Sequence, residues 1–216
     1  MDTFIRGAYT FCKALTHLFY INLLWIAFTL LGGVVLGFMP STVALYTVAR
    51  KFLTGEDDIP IFKTFWKAFR SEFLRSNLMG SLLLAGSLLW YVDFIIFRGM
   101  DSGFSQILSQ VMIVIGFIYF ILLLYIFPVY VHYDKKFFQY FKMALMIGLL
   151  QPMSLMLMLV GTVLNYYFFM YFQGFIPLVG ASLFCYLNMW IALKSFQTIE
   201  NKSIRIKQHY AKEMLR

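Results

Sequence analysis

Few side chains in this sequence could do chemistry away from water, and they do not cluster. Asp93 is the one acid inside an apolar run. An acid in such a run is a candidate proton or cation site when it lies at mid-depth. Asp93 instead falls near the end of its run, beside Trp90, Tyr91 and Arg98, which predicts an interfacial position or a pairing with Arg98. Asn22, Gln110 and Asn188 are the neutral polar candidates in other runs. Such amides bond a neighbouring helix or, where helices are broken, a neutral solute. His132 has no second His or carboxylate at helical spacing, so no metal site is expected. Cys12 and Cys185 lie far apart, in or beside apolar runs, and read as small hydrophobes. General acid–base catalysis needs positioned titratable groups. We therefore assign no catalytic, cofactor-binding or metal-binding residues and expect no enzyme.

The stretch with the most pointed pattern is amphipathic. Phe62, Phe65, Trp66, Phe69 and Phe73 recur on one helical face, flanked by Lys63, Lys67 and Arg70. Aromatics that dip among headgroups and cations near lipid phosphate make a membrane-surface helix, expected over residues 59–75. The same face could pack on the rest of the protein or dock a partner, so Phe62, Lys63, Trp66, Lys67 and Arg70 are membrane-surface or partner-contact candidates. Asp57 or Asp58 could cap this helix, with Pro60 in its first turn.

These positions are held by long apolar runs. Of 216 residues, 61% are hydrophobic and 13% charged, with mean hydropathy +0.76. A water-soluble domain of this size could not bury that much apolar surface. The runs far exceed the segments of roughly 10 residues that build membrane barrels, so helices are expected. The reading is an all-α membrane protein, one polytopic bundle of about six transmembrane helices. The spans fall over residues 10–31, 34–53, 77–97, 104–131, 143–164 and 175–193, with a basic tail over 194–216.

Two features decide the count. Gly32-Gly33 can make a reversal, whereas Pro40 could instead mark the start of a short helix after one long one. Gly33-x-x-x-Gly37 could permit close helix packing. With six spans and both termini cytosolic, only Arg98 of 18 Lys and Arg lies on the outer side, which the positive-inside bias favours over five spans. That bias, rather than nucleic acid, accounts for the net charge of +8. Gln151-Pro152 predicts a kink in the fifth span, and the aromatics of 165–174 predict an outer interfacial belt. No small-x-small site follows the first run, so no cleaved leader is expected.

The chain resembles the YesL family of small bacterial membrane proteins. The resemblance rests on Asn22-Leu23-Leu24-Trp25, on Pro40-Ser41-Thr42-Val43-Ala44-Leu45-Tyr46, on Gly55-Glu56 and on Phe62-Lys63-Thr64-Phe65-Trp66-Lys67-Ala68-Phe69. It continues from Pro128 through Tyr133-Asp134 and over Lys142-Met143-Ala144-Leu145, and so spans nearly the whole chain. It implies a bacterial cell-membrane protein with an accessory role in oligosaccharide uptake or its regulation. The implied partners are a sugar ABC transporter or a sensor kinase, besides the lipid bilayer. It assigns no active residues. No Walker A loop occurs, so the chain is not expected to be the ATPase. The alternative is a small stand-alone transporter or channel for a neutral solute, using amides such as Asn22 and Gln110. The oligomeric state is not specified by the sequence.

Overall fold

A computed structural model describes residues 2–56, 59–100 and 103–214. The described residues form eight α-helices: α1 (Asp2–Leu31), α2 (Val35–Leu53), α3 (Ile61–Ser71), α4 (Phe73–Gly99), α5 (Gly103–His132), α6 (Phe137–Leu150), α7 (Pro152–Tyr171) and α8 (Ile176–Met214). Asp57 and Asp58, the expected capping residues, lie outside the described residues. Five segments are long and apolar enough to cross a membrane: Cys12–Leu31, Phe73–Gly99, Gly103–His132, Pro152–Tyr171 and Gln173–Lys202. The chain is therefore an all-helical, multi-pass membrane protein in a lipid bilayer. Its exposed side chains on α4, α5 and α7 are mostly Leu, Ile, Val, Phe and Met, which suits hydrocarbon and not water.

The reversal lies at Gly32-Gly33, and α1 and α2 form an antiparallel hairpin. The His17 ring meets Phe52 edge-on at 3.7 Å, and nearer the turn Trp25 Nε1 donates to Thr42 Oγ1 at 3.1 Å. Gly33 takes φ 75° and Val34 φ 62° with ψ −67°. The Val35 N–H donates to the Gly33 carbonyl at 2.8 Å, closing a γ-turn of the rare, strained hand around a β-branched residue. The close crossing differs from the expected Gly33/Gly37 pair. A Cβ on Gly37 would stand 2.3 Å from the Thr29 carbonyl oxygen, and one on Gly32 would stand 2.3 Å from the Gly37 Cα. Gly33 faces open space and supplies turn geometry instead.

The second expected span proves to be the centre of the bundle. Helix α2 packs against α1, α3, α4, α5 and α8, and Ser41 through Tyr46, Val48 and Ala49 are all buried. Protein surrounds its middle, whereas Val35, Leu36 and Phe38 in its first turn are exposed, and that middle carries Ser41, Thr42 and Thr47. Its hydroxyls are satisfied locally: Thr42 donates to Phe38 O at 2.7 Å and Thr47 to Val43 O at 2.8 Å. Pro40 sits within α2 without breaking it. Lacking an N–H, it leaves the Leu36 carbonyl without its intrahelical donor. Asn77 Nδ2 of α4 supplies one at 2.9 Å. This predicts a coupling: Asn77→Leu is destabilising by about 1 kcal/mol in the native chain, and by much less when Pro40→Ala restores the missing N–H. A thermal-unfolding double-mutant cycle checks it, and additive effects would refute the link.

Helix α3 is shorter than the expected 59–75, because the chain breaks at Glu72 and Phe73 opens α4. Its aromatic face turns onto α1. Phe62, Phe65, Trp66 and Phe69 surround the Phe28 ring at centroid distances of 6.1, 5.2, 5.5 and 5.1 Å. Phe65 and Phe69 are buried, whereas Phe62 and Trp66 stay 52% and 44% exposed at the edge. Lys63, Lys67 and Arg70 are exposed.

The fifth expected span, 143–164, is two helices. They meet at Gln151, which caps both α6 and α7, with Pro152 in the first turn of α7 where its missing N–H costs nothing. The aromatic belt from Tyr166 to Tyr171 belongs to α7 rather than to a loop. Helix α8 runs from the sixth span into the basic tail without interruption.

Candidate functional site: a charged chamber at the basic end

The C-terminal ends of α2 and α5 and the start of α4 converge at the end of the bundle where Arg50, Arg75, Lys135 and Lys136 gather. Between them lies a cavity of about 390 Å³, lined by Arg50, Glu72, Arg75, Tyr130, His132 and Tyr140 among others. An aromatic stack brings α2 and α5 together, with Tyr46 and Phe127 parallel within 5° at 5.5 Å. One turn further along both helices, Arg50 Nη1 donates to the Val131 carbonyl. That carbonyl belongs to the last turn of α5, which has no intrahelical donor and carries the negative end of the helix dipole. A guanidinium satisfies both needs.

Glu72 occupies the α3–α4 break, and its side chain accepts a hydrogen bond from the Tyr130 hydroxyl. Its charge also sits favourably at the N-terminus of α4. Arg75 follows three residues later and borders the same cavity. Tyr140, from α6, packs its ring on Tyr130 at 4.8 Å, and its hydroxyl accepts from the Lys135 N–H at 3.1 Å. The end of α5 completes the lining, and α8 packs behind it. His132 Nε2 stands 3.9 Å from Glu200 Oε1, and the Tyr133 hydroxyl donates to the same oxygen at 3.3 Å. Burial first, and then the Glu200 carboxylate, push the Tyr133 phenol up to about 12, so it stays a neutral donor at any ordinary pH. His132 also packs on Phe196, with ring centroids 4.7 Å apart.

Of the residues singled out from the sequence, His132 lines this chamber, and the intramembrane amides, Asp93 and the α3 set do not. Asn22 is 1% exposed and ties α1 to α8: Nδ2 donates to Pro177 O at 2.7 Å, and Oδ1 accepts from the Ala181 and Ser182 N–H groups at 3.1 Å. Asn188 is buried beside a gap of about 10 Å³ between α7 and α8, and its Oδ1 has no protein donor. Asp93 is half-buried and Gln110 exposed, on the far halves of α4 and α5. The Asp93–Arg98 pair is not found among the described residues; the Arg98 guanidinium lies 5.8 Å from the Phe94 ring centroid instead. Phe62, Lys63, Trp66, Lys67 and Arg70 sit on α3, outside the cavity. The chamber residues were each visible only as end-of-run charges. Their separations along the chain, 22 residues from Arg50 to Glu72 and 60 from Glu72 to His132, carry no helical period.

Residues 18–94 match the family model described as "Protein of unknown function, DUF624". The chain is 36% identical over 201 residues to the uncharacterized protein YesV of Bacillus subtilis, covering 93% of this chain and 97% of that one. It is 36% identical over 191 residues to the uncharacterized protein YteU of the same organism, covering 88% and 85%. To the uncharacterized protein YesL, also of Bacillus subtilis, it is 30% identical over 202 residues, covering 94% and 95%. No solved structure matches the chain. Likeness at this level along nearly the entire length makes this chain a member of the YesL family.

Proposed function

We propose that this chain is a non-enzymatic accessory protein of the bacterial cell membrane, with both termini cytosolic, that works beside carbohydrate ABC uptake or its regulation. The observation that supports the reading is a division of labour among polar groups. Inside the bundle, Asn22 is wholly committed to joining α1 and α8. The charged groups gather instead at one end, around Arg50 and Glu72, and on the outward side of α3, where Lys63, Lys67 and Arg70 are exposed beside Phe62 and Trp66. A surface of cations next to half-exposed aromatics suits anionic headgroups or an acidic partner face. The link to sugar uptake rests on the family resemblance alone.

The expected result of a detergent pull-down of the tagged chain from native membranes is a sugar ABC transporter or a sensor kinase in stoichiometric amount. Lys63→Glu with Lys67→Glu reduces its recovery several-fold, since reversing two contact charges replaces attraction with repulsion. A chain that comes down alone overturns the reading.

A further inference from the structure

We propose that the chamber between α2, α4 and α5 binds one small oxyanion, a phosphate or carboxylate group, between Arg50 and Arg75. The proposal goes beyond the accessory role and does not rest on it.

The first argument is an unbalanced cation. Arg50 is half-buried, and its Nη1 is engaged by the neutral Val131 carbonyl. Its Nε is buried with no protein acceptor. Among the described residues the ion pairs within 4.0 Å are Lys51–Glu56 and His132–Glu200, so neither Arg50 nor Arg75 is paired with a carboxylate. A guanidinium shielded from water and lacking a counter-charge is costly unless something supplies one. Glu72 lines the same cavity, but its Oε2 is engaged by the Tyr130 hydroxyl and it stands in no direct ion pair with either guanidinium.

The second argument is the supply of donors. The Tyr140 hydroxyl accepts from the Lys135 N–H, which leaves its own proton to donate. His132 Nδ1 is likewise buried without a protein partner. Two guanidinium groups, a phenol and an imidazole around about 390 Å³ offer a planar fork and two single donors to an oxyanion. Glu72 and Asp134 also line the cavity. They offset the two arginines in count, so a single oxyanion fits the site better than a polyanion.

A lipid headgroup and a free anion share this chemistry, and the test separates them. The full chain is reconstituted in phosphatidylcholine nanodiscs and titrated calorimetrically with inorganic phosphate. In parallel, chain purified from mixed phosphatidylglycerol and phosphatidylcholine membranes is assayed for retained phosphatidylglycerol by native mass spectrometry. Saturable phosphate binding, about tenfold weaker in Arg75→Gln and in Arg50→Gln but unchanged in Lys207→Gln, supports a soluble anion. Retained phosphatidylglycerol that is lost in the same two variants supports a headgroup. Arg75 makes no hydrogen bond essential to the fold, so its variant remains informative if Arg50→Gln fails to fold. The absence of both signals, or signals equal in Arg75→Gln and the native chain, overturns the proposal. A failed partner pull-down leaves it untouched.

Discussion

Gly37→Ala is expected to lower the unfolding temperature of the detergent-solubilised chain by about 10 °C, the effect of about 3 kcal/mol in a chain of this size. One added methyl group is enough because of what it meets. The Cβ would lie 2.3 Å from the Thr29 carbonyl oxygen and 2.9 Å from both Gly32 Cα and the Phe28 carbonyl oxygen. All three are backbone atoms, so no rotamer change makes room. Relief requires α1 and α2 to separate, which draws Trp25 away from Thr42 and from the Phe38 ring, 5.6 Å distant. Because α2 touches five other helices, the disturbance does not stay local. Val34→Gly should act in the opposite direction. Val34 holds φ 62° at the centre of the γ-turn, and glycine removes a strain of about 1 kcal/mol. Circular dichroism melts of the two variants test the pair together. A Gly37→Ala melt within 2 °C of the native one, roughly the effect of less than 1 kcal/mol, would mean that the helices do not cross this closely.

Asn22→Leu should be nearly as damaging, at about 2–4 kcal/mol, although leucine is close in volume and better suited to an apolar interior. The loss lies in what remains behind. The Pro177 carbonyl and the N–H groups of Ala181 and Ser182 all lose a partner 1% exposed to solvent, and water cannot replace it. Asn22→Asp should also fail, since a carboxylate cannot donate to Pro177 and carries charge into the bundle. Leu23→Ala, an exposed neighbour, serves as the control and should cost little. Unfolding in detergent with tryptophan fluorescence as the readout tests this. A native-like melt for Asn22→Leu would return Asn22 to the list of residues free to meet a solute.

The hairpin at Gly32-Gly33 and the aromatic face of α3 were legible because each is a local signal. Two glycines end an apolar run, and five rings recur at helical spacing, four of them on α3. What those rings touch was not legible, because Phe28 belongs to a different element and apolar periodicity does not distinguish a lipid-facing from a protein-facing stripe. The same ambiguity hides the central place of α2, which the sequence reads as one span among six. A helix enclosed by its neighbours and a helix facing hydrocarbon are both apolar, and only the hydroxyls of Ser41, Thr42 and Thr47 point to the enclosed place. Gln151-Pro152 predicts a kink, and the structure places a full helix boundary there. The chamber was invisible for a topological reason. Arg50, Glu72, Arg75, Tyr130 and Tyr140 come from four different helices, and each alone is an ordinary polar residue at the edge of an apolar run.

The uninterrupted course of α8, 39 residues and about 58 Å from Ile176 to Met214, couples its outlying part mechanically to the core. A joint would let the tail swivel independently; a continuous helix behaves as a shaft. Lys202, Arg205 and Lys207 therefore point in azimuths dictated by how Ser195 and Phe196 are seated among α5 side chains. Removing two residues after Glu200 would shorten the shaft by only about 3 Å but spin everything beyond it through about 200°. The direction in which the tail presents its charges is thus geared to the packing of the bundle.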